Sequence, residues 1–188
     1  MEAFFISFGI IFVAELGDKS QLMAMTFAAR YRAITILLAI TAATAVVHLV
    51  SVAFGAVLGV ALPTHAISIA GGIAFIGFGL WTLRGDELDD ADEARAERTT
   101  RSVFWTVALA FFLAELGDKT MLATITLATD HGVVGTWLGS TLGMVAADAL
   151  AILVGQLLGA RLPERVIKIG AAVIFFVFGV FLIVEGVR

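Results

Sequence analysis

The chain reads as an all-α membrane protein: six transmembrane helices arranged as two inverted three-helix repeats. Three observations predict this. Hydrophobic residues make up 60 % of the 188 residues and charged residues 15 %, against about 45–50 % and about 25 % in soluble domains. The apolar residues fall into six runs long enough to span a bilayer. The first half also lies on the second, without a gap, when shifted by one hundred residues. Mean hydropathy is +1.02, more apolar surface than a soluble core of this size could hide.

The first span is placed near 3–28. Met1-Glu2-Ala3 carries no positive n-region and no small-residue cleavage site follows, so this run reads as a span and not a secretory signal. Arg30-Tyr31-Arg32 separates it from the second span, near 34–61, and Pro63-Thr64-His65 precedes the third, near 66–83. A polar segment at 84–101 follows, then the fourth span near 102–128. Asp130-His131-Gly132 leads into the fifth, near 133–160, and Leu162-Pro163-Glu164-Arg165 into the sixth, near 166–185. The expected units are therefore a repeat at 1–83, a charged cytoplasmic linker at 84–101 and a second, inverted repeat at 102–188. Continuous apolar runs of this length do not fit β-barrel strands, which alternate over about 10 residues.

Basic loop residues set the orientation. Arg30, Arg32, Arg84, Arg95, Arg98, Arg101, Arg161, Arg165 and Lys168 follow spans one, three and five, and Arg188 alone falls on the other side. Those loops are expected in the cytoplasm, with both termini outside.

In the repeat, Ala14-Glu15-Leu16-Gly17-Asp18-Lys19-Ser20 meets Ala114-Glu115-Leu116-Gly117-Asp118-Lys119-Thr120. Leu62-Pro63 meets Leu162-Pro163, Gly55 and Gly59 meet Gly155 and Gly159, and Phe75, Phe78 and Gly79 meet Phe175, Phe178 and Gly179. About a quarter of the aligned positions are identical. Three spans per repeat, an odd number, turn the halves upside-down to each other. Such inverted repeats mark transporters with a mid-membrane site where the halves meet.

The chemistry sits in that motif. Glu15, Asp18, Glu115 and Asp118 fall deep in spans one and four, each pair sharing a helix face at i and i+3. An acid at the bilayer centre costs about 2.5–3.5 kcal/mol on insertion scales. The four must face the interior, protonated, paired or bound to a cation. Gathered around the repeat axis, they suit a hard divalent cation such as Mg²⁺, Ca²⁺ or Mn²⁺. Ser20, Thr120 and Gln21 add neutral oxygens, and Gly17 and Gly117 admit a backbone carbonyl or a facing helix. Lys19 and Lys119, too deep to reach the interface easily, are expected to neutralise part of the cluster when the cation is absent, with proton carriage as the alternative role. The competing reading is a buried ion-pair network, Glu15 with Lys19 and Glu115 with Lys119 at i,i+4. Four acids and two lysines leave a formal charge of −2, which one divalent cation or two protons would cancel.

His48 and Asp148 occupy equivalent positions in spans two and five, candidates for a supporting or proton-carrying role. The small residues around Thr44 and Gly143 read as close helix packing. The acidic residues of the linker lack the glycine turn of an EF-hand loop and read as a solvated tether.

The doubled Glu-Leu-Gly-Asp-Lys-Ser/Thr motif resembles that of the Gdt-type transmembrane Ca²⁺/Mn²⁺:H⁺ exchangers, which include bacterial MneA-like manganese exporters. The resemblance covers essentially the whole chain. It implies transport of Mn²⁺ or Ca²⁺ against protons, with Glu15, Asp18, Glu115 and Asp118 binding the cation and Lys19, Lys119, Ser20 and Thr120 in support. Gln21 against Met121 is an asymmetry, so the half-sites need not contribute equally. The short chain favours a prokaryotic plasma membrane and manganese efflux.

The alternatives are a proton-coupled exporter of organic cations such as basic amino acids, or a non-transporting membrane metal sensor. No basic patch supports nucleic-acid binding, and no prosthetic group is expected. The absence of cysteine excludes thiolate chemistry. Without a His-Glu-x-x-His pair or a Gly-x-Ser-x-Gly elbow, an enzyme is not expected.

Overall fold

The structure, a computed structural model, describes residues 1–61, 63–84, 103–158 and 164–187. Among the described residues it holds eight helices and no strand: α1 (Glu2–Glu15), α2 (Lys19–Arg30), α3 (Ala33–Ala61), α4 (Thr64–Arg84), α5 (Val103–Glu115), α6 (Lys119–Asp130), α7 (Val133–Leu158) and α8 (Glu164–Val187). The protein is all-α. Residues 33–61 and 133–156 are each long and apolar enough to cross a bilayer unaided. The linker expected at 84–101 lies, beyond Arg84, outside the described residues, as does the Leu162-Pro163 break.

Two of the six expected continuous spans are corrected. The first is two helices, of 14 and 12 residues, and the fourth is two, of 13 and 12. The cause is local. Gly17 and Gly117 take φ of +76° and +79°, a left-handed conformation that any side chain would strain. Asp18 and Asp118 then restart the helix from extended backbone, with ψ of 166° and 165°. The shared i, i+3 helix face expected for Glu15 with Asp18, and for Glu115 with Asp118, does not exist. The i,i+4 geometry expected for Glu15 with Lys19 and Glu115 with Lys119 is lost for the same reason.

The packing partners exchange when the halves are exchanged. α1 lies on α7 as α5 lies on α3, and α2 meets α7 as α6 meets α3. α4 crosses α8, where a Cβ on Gly72 would stand 2.5 Å from the Gly179 carbonyl oxygen. Such bare backbone contact is how helices approach without a hydrophobic driving force between them. Beside this crossing, Phe75 packs on Phe178 at 4.9 Å and Phe78 on Phe175 at 6.1 Å between ring centroids. On the other side, Gly135, Gly139 and Gly143 of α7 seat against the backbone of Ala3, Phe4 and Phe8 in α1.

The polarity is inside-out. Phe54, Val57, Trp105, Val177 and Phe181 are exposed, while Glu15, Asp18, Glu115, Asp118, Lys119 and Asp148 are buried. Lipid accepts such an exterior and water does not. Many interior hydroxyls are satisfied within their own helix: Thr44 donates to the Ile40 carbonyl, Ser51 to Val47 and Ser140 to Thr136.

Candidate cation site

Both helix breaks bring their acids to the interior. Neither Asp18 nor Asp118 turns its carboxylate back to cap its own helix. Each meets the lysine of the other half instead. Lys119 Nζ donates to Asp18 Oδ1 at 2.7 Å, and Lys19 Nζ stands 3.5 Å from Asp118 Oδ1. The two motifs are thus cross-linked by reciprocal ion pairs, and not by the within-motif Glu–Lys pairs considered from the sequence. The two pairs are not equal. The Lys119 side chain is 2 % exposed, whereas that of Lys19 is 22 % exposed.

The glutamates are held by the hydroxyl that follows the motif lysine. Ser20 Oγ donates to Glu15 Oε1, and Thr120 Oγ1 donates to Glu115 Oε2 at 2.8 Å. The other oxygen of each, Oε2 of Glu15 and Oε1 of Glu115, has no hydrogen-bond partner among the described residues. Glu115, Asp18 and Asp148 all lie within electrostatic reach of Glu15. The breaks also expose backbone N–H groups, which the residue after each hydroxyl covers. Gly17 N–H donates to Gln21 Oε1 at 2.8 Å, and Gly117 N lies 3.3 Å from Met121 Sδ. Gln21 Nε2 donates in turn to the Ala147 carbonyl of α7 at 2.9 Å. Gln21 therefore fastens a turn in this arrangement, with its oxygen already engaged.

The structure brings together Glu15, Asp18, Lys19, Ser20, Glu115, Asp118, Lys119 and Thr120, with Asp148 beside them. His48 stands apart from the carboxylates: its Nδ1 faces Thr141 Oγ1 at 3.4 Å, and its Nε2 has no partner among the described residues. No three His, Asp or Glu side chains among the described residues converge as a ready-made metal cage, and two of the four motif acids are engaged by lysine. Thr141 and the Ala147 carbonyl are partners that sequence reasoning missed. No signal in the chain marked them, because both act through helix packing. The breaks did leave a signal, a Gly-Asp dipeptide inside each apolar run.

Broken helices with buried acids at the break, inside an apolar exterior, define the class of ion-translocating membrane proteins. The chain belongs to the divalent cation/proton antiporter family GDT1, whose family model matches residues 3–90 and 103–188. That family is one of transporters and not of enzymes. Among similar proteins, one from Vibrio cholerae named "Putative manganese exporter" is 33 % identical over 171 residues, covering 89 % of this chain and 84 % of the relative. A GDT1-like protein of Synechocystis is 30 % identical over 198 residues, covering 96 % of each chain. A chloroplastic GDT1-like protein of rice is 30 % identical over 206 residues, covering 94 % of this chain and 59 % of its own length. No solved structure matches this chain.

Proposed function

We propose that this chain exports divalent cations, Mn²⁺ foremost and Ca²⁺ second, from the cytoplasm in exchange for protons, by alternating access at the Glu15–Asp18 and Glu115–Asp118 motifs. The observation that carries this reading is the reciprocal pairing of Lys119 with Asp18 and Lys19 with Asp118. Each lysine holds a carboxylate that a cation would otherwise need to find. The arriving cation displaces the lysines and meets four carboxylates, two of which already present an oxygen without a hydrogen-bond partner. Charge balance supports exchange, since the −2 of four acids and two lysines is cancelled by one divalent cation or by two protons. The relative named for manganese export supports Mn²⁺ as cargo.

The two halves run as inverted repeats across the bilayer. Supporting this, Ala3 at the start of α1 lies against Gly135 at the start of α7, while Val103 at the start of α5 borders the same surface cavity as Arg30, Tyr31 and Arg32. Each broken helix pair serves as one crossing. On this reading the exposed Arg30 and Arg32 lie on the cytoplasmic side by the positive-inside rule, with both termini outside a prokaryotic plasma membrane. Cells that depend on this chain for manganese tolerance test the site. Asp18→Asn and Asp118→Asn should each abolish tolerance with protein levels unchanged, and full tolerance in both variants would refute the assignment.

A further inference from the structure

The two halves end their broken spans on opposite chemistry. α2 closes on Arg30-Tyr31, and at the same place in the repeat α6 closes on Asp130-His131. A helix C-terminus carries partial negative charge, which Arg30 answers and Asp130 aggravates. Among the described residues no side chain forms an ion pair with Asp130. Asp130 and His131 border a cavity of about 10 Å³ between the end of α6 and helices α4 and α8, together with Ser68, Thr126 and Thr129. That is room for about one water-sized occupant. At the positions equivalent to Ser68 and Asp130 the other half carries Lys168 and Arg30.

The donors at this cavity suit a metal ion. His131 Nδ1 lies 3.1 Å from the Leu127 carbonyl oxygen. A carbonyl only accepts, so the proton sits on Nδ1 and Nε2 carries the lone pair. Ligating imidazoles are held in this way, with the other ring N–H fixed on a carbonyl or carboxylate. Thr126 Oγ1 donates to the Leu122 carbonyl at 3.0 Å and Thr129 Oγ1 to the Thr126 carbonyl at 2.6 Å. Each hydroxyl has spent its proton and offers an occupant only lone pairs. One imidazole nitrogen, one carboxylate and neutral oxygens at a negative helix end attract a divalent cation. The nitrogen favours a transition-metal ion over Ca²⁺, which takes oxygen ligands. Two strong donors make a weak site, and a site on a translocation path must be weak enough to release its ion.

Resting on the exchanger reading, we propose that this cavity is a second, weaker cation site for transition-metal cargo such as Mn²⁺, with His131 Nε2 and the Asp130 carboxylate as its ligands. α5 begins beside Arg30, Tyr31 and Arg32, and α6 completes that crossing. The site therefore stands at the mouth opposite those arginines, where the exchanger reading has the cargo leave.

Mn²⁺ titration of the full chain in lipid nanodiscs, read by electron paramagnetic resonance with spin-echo modulation, tests this. Two classes of bound Mn²⁺ are expected, and the weaker one should show modulation from an imidazole nitrogen. His131→Asn keeps a side-chain N–H where Nδ1 was and deletes Nε2. It should abolish the nitrogen modulation and leave the tighter class unchanged. His131→Gln is the second variant should His131→Asn fail to fold. Asp130→Asn should weaken the nitrogen-modulated class about tenfold, the scale of a lost charged contact. Absence of nitrogen-modulated Mn²⁺, modulation that survives the His131 variants, or unchanged affinity in Asp130→Asn would overturn the proposal. Asp18→Asn should remove the tighter class and spare the weaker. If the tighter class survives Asp18→Asn, the motif assignment falls while the His131 site stands.

Discussion

Gly117→Ala isolates the cost of breaking the fourth span. Gly117 holds φ +79°, and a Cβ built there meets nothing within 4 Å. Crowding contributes nothing, so the whole penalty is conformational. A left-handed residue with a side chain costs about 1–2 kcal/mol. Gly77, inside α4, also has nothing within 4 Å of its Cβ and no left-handed φ. There, alanine should stabilise by about 0.8–1.0 kcal/mol, the difference in helix propensity. The two glycine-to-alanine changes should therefore shift stability in opposite directions. Gly117→Asn should fall between, since asparagine tolerates the left-handed region better than other side chains. The assay is reversible unfolding by SDS titration in mixed micelles, followed by circular dichroism. Transport should fall further than stability, because rotating the backbone at Gly117 re-aims Glu115 and Asp118 together. If Gly117→Ala stabilises the protein as Gly77→Ala does, the segment is a continuous helix in the membrane and the site geometry described here is wrong.

Gly143→Val would place a Cβ 2.6 Å from the Phe8 carbonyl oxygen. Overpacking of this kind costs about 1–3 kcal/mol, so the α1–α7 seam should loosen and unfold at lower SDS. Phe75 is fully buried at the crossing of α4 and α8, and Phe75→Ala should cost about 3–5 kcal/mol in the same titration. Thr120→Val removes the hydroxyl that donates to Glu115, and the buried carboxylate left behind should lower cation-free stability by about 1–3 kcal/mol. Thr126→Val, whose hydroxyl only bonds back within α6 to the Leu122 carbonyl, is the control and should change little.

Much of this was legible in the chain. Helical class follows from the long apolar runs, and the motif acids and lysines announce themselves as charges where lipid should be. The breaks at Gly17 and Gly117 were harder to see. A glycine within an apolar helix serves close packing as readily as a turn, as Gly139 does here, and periodicity does not separate the two uses. The lysine pairing was hidden for a different reason. Within one helix Lys19 belongs beside Glu15, and only the left-handed glycine redirects it to Asp118 across the molecule. Gln21 shows the same limit. Its place in the sequence suggests a spare oxygen for the cation, yet it covers the Gly17 N–H that the break exposes. Asp148 and His48 were matched by the repeat, but their separation into one acid near the cluster and one imidazole paired with Thr141 emerges only from packing.

The central claim is coupling, and proteoliposomes test it most directly. The purified chain is reconstituted with an imposed pH gradient, and Mn²⁺ and Ca²⁺ are offered separately. Vesicles acidic inside should accumulate Mn²⁺ against its gradient as their lumen loses protons. Collapse of the gradient should stop the uptake, and Asp18→Asn should show none. Mn²⁺ movement indifferent to the pH gradient, or no flux of either cation through correctly folded protein, would contradict the account.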